Sequence, residues 1–176
     1  MIYKKSWKYI LVKSNYLDFY WPKAIKEFSD IYIGRFGGCV QGYHNLSQSG
    51  DCWIYGNAQV FGDAIVSGNA RVFENAKVYG YAQVSGYAEI RESAIICDSA
   101  KIFGNAQVSE RANVYGHAQI FGNAIVFGSA VVNKNAEVYG NAMVFGSARI
   151  TDDAQVYGNA CINKDILISG DTELEG

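Results

Sequence analysis

Two histidines are the side chains in this sequence whose type is best suited to acid–base chemistry. A histidine can act as a general base when it reaches the proton it removes and when a partner orients its ring. His117 stands immediately before Ala118, and the residues 18 positions away on either side are Ser99 and Asn135, neither of which is an orienting carboxylate. We therefore predict no catalytic residue and interpret His117 as a solvated corner residue, with a general base as the alternative. His44 lies among turn-forming residues and is assigned a structural role.

The four cysteines have neither the spacing of a disulfide framework nor that of a zinc site. No CxxC motif occurs in the sequence. Two histidines are also too few for a zinc site built from three histidine ligands. We predict free thiols in a reducing compartment, no metal and no cofactor. The cysteines concerned are Cys39, Cys52, Cys97 and Cys161.

A period of six residues runs through most of the chain, and it determines where any functional side chain lies. Alanine recurs at every sixth position from Ala58 to Ala160, and valine or isoleucine follows each alanine by two positions, from Val60 to Ile162. Alternate residues of a strand point to the same side, so these two columns face inwards and the residue between them faces outwards. Glycine and asparagine, which tolerate positive φ, then form a corner. Such a period is typical of a solenoid.

Three hexads close one triangular turn of 18 residues, which predicts an all-β fold. The phase of the repeat extends upstream to Cys52 and downstream to Ile166, Ile168 and Thr172. We therefore predict a parallel β-helix of about seven 18-residue triangular turns. Its interior contains small and branched side chains only, so the core has no room for a large residue and no partner for a charge.

Residues 1–50 lack the period of six and are rich in aromatic residues. Within this segment, residues 8–13 and 30–33 have the composition of strands. A solenoid exposes an unpaired edge and an open core at its first turn, so a terminal cap is expected. We predict a β-rich N-terminal cap over residues 1–50 and the β-helix over residues 51–176. The alternating acidic residues near the C-terminus would discourage pairing at the other edge.

The junction between the cap and the repeat resembles a known family. The segments Gly37–Val40 and Asn45–Tyr55 read GGCV and NLSQSGDCWIY, a string similar to the first repeats of YdcK-like hexapeptide-repeat proteins of bacteria and phages. With the repeat included, the resemblance covers about three quarters of the chain. It implies a single-stranded left-handed β-helix with the fold of trimeric hexapeptide acyltransferases. Enzymes of that class would imply His117 as the base and an acyl-CoA donor such as acetyl-CoA between subunits.

Two features of the repeat differ from those acyltransferases. Glycine mostly falls two positions after the aliphatic residue, whereas the enzymes commonly place it one position after. The repeat also has no insertion between Ala58 and Ile162, whereas the enzymes commonly carry a protruding loop that helps to form the active site. Since a likeness of fold does not establish a reaction, these differences favour a non-enzymatic reading.

Composition and charge exclude several classes of partner. The net charge of −2 and the pI of about 5.7 do not provide the basic surface that binding to nucleic acid requires. No apolar stretch is long enough to span a membrane. The N-terminal residues are charged and no apolar segment follows them, so we expect no signal peptide and a cytoplasmic location.

The outward positions suggest where a protein partner could bind. Ile125 with Phe127, Met143 with Phe145, and then Cys161 recur at intervals of 18 residues, and all five face outwards in the predicted coil. Contiguous apolar surfaces of this kind usually mark interfaces, so we predict an interface here. A second set of outward aromatic residues, interpreted mainly as a stack that covers the backbone, consists of Phe103, Phe121, Tyr139 and Tyr157.

The sequence therefore favours a non-enzymatic scaffold or protein-binding protein that acts through its flat outer faces. The expected partners are further copies of itself, in a dimer or trimer, another protein, or both. An acyltransferase that uses His117 and acetyl-CoA is the first alternative. A structural element of a phage, such as a segment of a fibre or spike, is the second.

Overall fold

The computed structural model describes residues 7–15 and 18–176. Within this part of the chain the fold is all-β and contains no helix, as the period of six predicts. Three strands belong to the N-terminal region: β1 (Tyr9–Lys13), β2 (Tyr20–Ala24) and β3 (Cys39–Val40). The predicted absence of a signal peptide concerns residues that lie partly outside the described ranges.

The later strands are two or three residues long, because a corner follows each inward-facing pair. In chain order they are β4 (Trp53–Ile54), β5 (Gln59–Val60), β6 (Ile65–Val66), β7 (Arg71–Val72), β8 (Lys77–Val78), β9 (Gln83–Val84), β10 (Glu89–Ile90), β11 (Ile95–Ile96), β12 (Lys101–Ile102), β13 (Gln107–Val108), β14 (Asn113–Val114), β15 (Gln119–Ile120), β16 (Ile125–Val126), β17 (Val131–Val132), β18 (Glu137–Val138), β19 (Met143–Val144), β20 (Arg149–Ile150), β21 (Gln155–Tyr157), β22 (Cys161–Ile162), β23 (Leu167–Ile168) and β24 (Glu173–Glu175).

These strands form three sheets, one on each side of the coil. Side 1 runs from β3 through β5, β8, β11, β14, β17 and β20 to β23; side 2 runs from β6 through β9, β12, β15, β18 and β21 to β24; side 3 runs from β4 through β7, β10, β13, β16 and β19 to β22. Every neighbouring pair in these three series is parallel. From β4 onwards the paired residues are 18 positions apart, as in Ile125 with Met143.

The core is the interior of the coil. The alanine column from Ala58 to Ala154 and the aliphatic column from Val60 to Val156 are fully buried. Backbone N–H groups of one coil donate to carbonyl groups of the next, as from Gln107 to Ala124, so the stacked coils satisfy one another's polar groups. From Ala58 to Ile162 the predicted assignment of inward and outward residues is confirmed.

Parallel stacking begins earlier than the sequence indicated. β3 pairs in parallel with β5, matching Cys39 with Gln59, and Leu46 forms a parallel bridge with Val66. The coil that starts at Cys39 is two residues longer than the later ones, which hides it from a search for a period of six. The solenoid therefore has about eight turns rather than about seven, and its first turn uses residues that we assigned to the cap.

The N-terminal strands extend side 1 as an antiparallel edge. β1 pairs with β2, and β2 pairs with β3. The predicted strand over residues 8–13 is confirmed as β1. The predicted strand over residues 30–33 is wrong: Ile31 makes only an isolated bridge with Phe28, within a turn. β2 was not predicted, and it contains Pro22, which has no N–H to donate to a ladder.

At the other end, β22, β23 and β24 are the last strands that the described residues add to the three sides. Ile168 remains buried, but Ile166 is 44% exposed and Thr172 is also exposed. The continuation of the strands is confirmed by β23 and β24, while the burial expected for Ile166 and Thr172 is wrong, because nothing in the described chain covers their inner face. The described residues contain no helix that is long and apolar enough to cross a membrane.

Candidate interaction surface

The five residues of the predicted interface lie together on side 3, and we call them the side 3 patch. The register places Ile125 beside Met143 and Met143 beside Cys161 on β16, β19 and β22. The rings of Phe127 and Phe145 stack with centroids 4.8 Å apart and an angle of 6° between their planes. Met143 is 36% exposed, and Cys161 is exposed too. The structure thus brings the five side chains together as an uncharged surface on three successive coils.

The aromatic ladder on side 2 also exists. Phe103, Phe121, Tyr139 and Tyr157 stack with centroid separations of 4.9, 4.8 and 5.1 Å and nearly parallel planes. Each inner ring is covered on both faces by its neighbours, so the ladder stabilises the stack of coils by contacts within the chain. The polar column beside it is tied to the ladder, since the Tyr139 hydroxyl donates to Gln155 Oε1 at 3.0 Å.

An uncharged corner joins these two surfaces. Between side 2 and side 3 the chain places a glycine and then an asparagine in each of these coils, and the asparagines form an amide ladder. The Nδ2 group of Asn105 donates to Oδ1 of Asn123 at 3.0 Å, and the same bond continues to Asn141 at 3.0 Å and to Asn159 at 3.2 Å. We did not predict this ladder, although asparagine recurring at intervals of 18 residues was a signal for it.

The first two coils of side 3 are covered by the cap instead. Trp53 occupies the outward column of side 3 yet is fully buried, because the ring of Phe28 lies 5.4 Å from it in a T-shaped contact. Tyr55 donates its hydroxyl to Asp30 Oδ1 at 2.7 Å, and Arg71 Nη2 donates to Ser29 Oγ at 2.8 Å. Residues 28–30 therefore overhang the outer surface of side 3, and we call them the cap overhang.

A buried lysine ties the cap to the first coil. Lys8 Nζ donates to the carbonyl groups of Cys52 at 2.8 Å and Gly50 at 3.0 Å, and it lies 3.3 Å from Cys52 Sγ. Burial lowers the pKa of Lys8 and raises that of Cys52. The hydroxyl of Tyr9 donates to the carbonyl of Leu46, and burial raises its pKa well above the usual 10.0. Lys8 and Tyr9 thus join the N-terminal region to the first coil, and we call this part of the molecule the capped end.

Between the cap overhang and the side 3 patch, side 3 is charged. Glu89 and Arg91 form an ion pair with an N–O distance of 2.7 Å, and the guanidinium of Arg91 lies 4.6 Å from the centre of the Phe73 ring. A polar cleft of about 230 Å³ opens beside this pair and reaches the cap overhang. It is lined by Ser29, Asp51, Asn69, Arg71, Tyr87 and Glu89.

His117 lies away from both apolar surfaces, at the corner between side 1 and side 2. Its side chain is exposed, and its backbone N–H donates to the carbonyl of Lys134 at 2.6 Å. Within the described chain its ring has no hydrogen-bond partner; the nearest carboxylate of the same column, Asp153, accepts instead from Asn135 at 2.8 Å. The ring of His44 lies 2.9 Å from the carbonyl of Gly62, in keeping with a structural role.

The cysteines are all free thiols. Cys52 is buried under Lys8, Cys161 is exposed in the side 3 patch, and the other two are half-buried. Burial raises the pKa of Cys97, so the thiolate form is disfavoured there. Across residues 7–15 and 18–176, no group of three or more histidine, cysteine, aspartate or glutamate residues could hold a metal ion.

Three parallel sheets that rise by one coil every 18 residues define the class of this protein: it is a β-solenoid. Three segments, residues 58–74, 118–133 and 136–151, match the family model described as the YdcK beta solenoid repeat. The resemblance to YdcK-like proteins is thus confirmed at the level of the repeat and the fold, and the matched segments begin after the junction. No curated protein matches the chain.

Proposed function

We propose that this β-solenoid is a non-enzymatic scaffold that associates with further copies of itself through the side 3 patch. The observation that carries the proposal is the change along one column of side 3. The outward residues are covered or charged from Trp53 to Glu89, and they are apolar and uncovered from Ile125 to Cys161.

The side chains of the patch are chemically suited to this role. Full burial of a large apolar side chain is worth about 1.5–3 kcal/mol, and the half-buried residues of the patch would gain part of that. Phe127 and Phe145 already cover each other's ring faces, so their stack is held in place before a partner binds. Little side-chain entropy would then be lost on association.

The two alternatives from the sequence have less support. Acyl transfer would use His117, which lies at the corner between side 1 and side 2 and has no orienting carboxylate bonded to its ring within the described chain. A structural role in a phage particle would require growth into long assemblies. For each of these two alternatives, the strongest evidence in the coil is the repeat itself.

The mass of the native chain at micromolar concentration tests the proposal. We expect an oligomer by native mass spectrometry and by light scattering after size-exclusion chromatography. The double variant Phe127→Lys with Phe145→Lys should be a folded monomer with an unchanged circular-dichroism spectrum, since both side chains face outwards.

The matched control places the same two charges on side 2. Gln83→Lys with Gln119→Lys lies in a column where Lys101 already occurs, so this variant should remain oligomeric. A native chain that is a monomer would overturn the proposal. A Phe127→Lys, Phe145→Lys variant that stays oligomeric would move the contact elsewhere, with the ladder of side 2 as the first place to look.

A further inference from the structure

We infer that the partner on the side 3 patch is a second copy whose solenoid axis runs in the opposite direction, so that a two-fold axis crosses side 3 between the Ile125 and Met143 rows. This inference rests on the proposed function, because it specifies how two patches meet. Three observations support it: the position of the cap overhang, the columns of the patch, and two unpaired charges at its border.

The cap overhang restricts how two copies can meet through side 3. Phe28, Ser29 and Asp30 lie on the outer surface of side 3 at the rows of Trp53 and Arg71. If two copies faced each other with parallel axes, both overhangs would lie at the same height and would hold the faces apart. With antiparallel axes, each overhang lies beyond the last coil of the other copy, and the flat patches can touch.

The columns of the patch match in the antiparallel arrangement. A two-fold axis that lies in the contact plane and is perpendicular to the coil reverses the order of the rows but keeps each column opposite itself. With the axis midway between two rows, Ile125 faces Met143 of the second copy and Phe127 faces Phe145. Aliphatic side chains then meet aliphatic ones and the aromatic stack meets its own equivalent, which suits an isologous contact.

The charges at the border of the patch select this register. Glu110 and Lys164 lie in the same column, at the corner between side 3 and side 1. Between them in this column are Gly128 and Gly146, which follow Phe127 and Phe145 of the patch, so Glu110 lies one coil before the patch phenylalanines and Lys164 one coil after them. Both are exposed, and neither makes an ion pair within the described ranges. The register that places Ile125 opposite Met143 places Glu110 opposite Lys164 of the second copy, and the symmetry repeats this pair. Parallel axes would instead place Glu110 opposite Asn105.

The size of the surface also favours a contact that reaches beyond the patch. The four coils from Gln107 to Cys161 rise by about 4.8 Å each, which gives side 3 a flat area of roughly 400 Å² there. A typical specific interface buries about 800 Å² per partner. In the antiparallel arrangement the two Glu110–Lys164 pairs widen the contact along the corner between side 3 and side 1.

Charge reversal on the full-length protein tests the orientation. Glu110→Lys alone and Lys164→Glu alone each place two like-charged pairs in the contact, and each should raise the dimer Kd by about tenfold at low salt. The combined variant restores opposite charges and should return to within about threefold of the native Kd. The matched control is Glu92→Lys, in the same corner column but outside the contact, which should leave the Kd unchanged.

Cross-linking gives a second and independent readout. In this register Gln107 faces Cys161 of the second copy, so a short bismaleimide should join the thiol introduced by Gln107→Cys to Cys161 across the dimer. Peptide mapping of the native dimer should show no link between two Cys161 residues, which would be three coils apart.

The outcomes separate the two proposals. A monomeric native chain overturns the proposed function and this inference together. A dimer that links Cys161 to Cys161, or whose combined charge variant is as weak as the single ones, overturns the antiparallel arrangement and leaves self-association standing. A native trimer does the same, because a single two-fold contact cannot generate it.

Discussion

The two halves of side 3 have the same backbone and different surroundings. In the outward column, Trp53 is buried by the cap and Glu89 is paired with Arg91, whereas Met143 and Cys161, further along the same column, are exposed. The inward residues change little, since alanine and valine or isoleucine fill every hexad from Ala58 to Ile162 and Cys52 takes the place of alanine beside Trp53. The same coil is therefore compatible with outward residues of very different chemistry.

This difference shows that fold and interaction are encoded in separate columns of a solenoid. Each coil contacts only its neighbours, so stability is close to a sum over coils and interfaces between coils. An outward residue can then change from one coil to the next without a cost in the core. The side 3 patch needs an explanation beyond folding because its residues are not required by the coil beneath them.

The largest effect is expected for a charge in the interior. Val108→Asp would place a carboxylate in the fully buried column with no partner, at a cost of several kcal/mol. Such a loss is comparable with the whole stability of a typical domain, so we expect loss of the cooperative thermal transition. Gln107→Asp lies one residue earlier and is exposed, so its free energy of unfolding should lie within about 1 kcal/mol of that of the native chain. Equal melting of the two variants would contradict the assignment of inward and outward columns.

A smaller effect should distinguish the two halves of side 3 directly. Trp53→Ala removes a fully buried ring that contacts Phe28 and Tyr9, and such truncations cost about 3–5 kcal/mol. Met143→Ala, in the same column and 36% exposed, should cost less than about 1 kcal/mol in the monomer. Chemical denaturation of both variants in the Phe127→Lys, Phe145→Lys background measures these costs without association.

Association should show the opposite order. In the native background Met143→Ala is expected to weaken the oligomer, and Trp53→Ala, at a low temperature where it remains folded, is expected to leave it intact. If Trp53→Ala dissociated the oligomer and Met143→Ala did not, the contact would involve the capped half of side 3 and not the patch.

The sequence predicted the regular part of the molecule well. Burying the alanine column and the valine or isoleucine column together fixes which residues of each hexad point inwards. The coil, its three sides and its outward residues therefore follow from spacing alone. The first coil, from Cys39, was missed because it is two residues longer than the others. β2 was missed because its pairing with β1 and β3 is a contact between distant parts of the chain.

The composition of the patch could also be predicted, but its boundary could not. Residues 18 apart must be neighbours in such a coil, which placed Ile125, Met143 and Cys161 together. No local pattern indicated that residues 28–30 would lie on side 3, or that Lys8 would reach the carbonyl groups of Gly50 and Cys52. These contacts join segments more than 20 residues apart through irregular chain, where spacing carries no information.

The smallest predicted effect concerns pH and again separates the two ends. Burial raises the pKa of Cys52 above its usual 9.0 and that of Tyr9 above 10.0, and for Tyr55 burial and the hydrogen bond donated to Asp30 do the same. These groups keep their protons in the folded state, while in the unfolded chain they release them above pH 9 to 10. Their stabilising contribution is therefore complete below pH 9 and is lost as the pH rises further.

Lys8 acts in the opposite direction, because burial lowers its pKa and favours release of its proton in the folded state. The contribution of Lys8 stops changing above its ordinary pKa of 10.5, whereas the three acids continue to favour the unfolded chain as the pH rises. We therefore expect the capped end to weaken above about pH 10, approaching roughly 1.4 kcal/mol per pH unit for each fully buried acid. All three tryptophans lie at or before residue 53, so their fluorescence reports on the capped end while circular dichroism reports on the whole coil. We expect the fluorescence midpoint to fall below the circular-dichroism midpoint at pH 11 and to coincide with it at pH 7.5. Tyr55→Phe removes one of the three acids and should reduce the separation at pH 11. Midpoints that stay together at both pH values would show that the capped end and the open coils unfold as one unit.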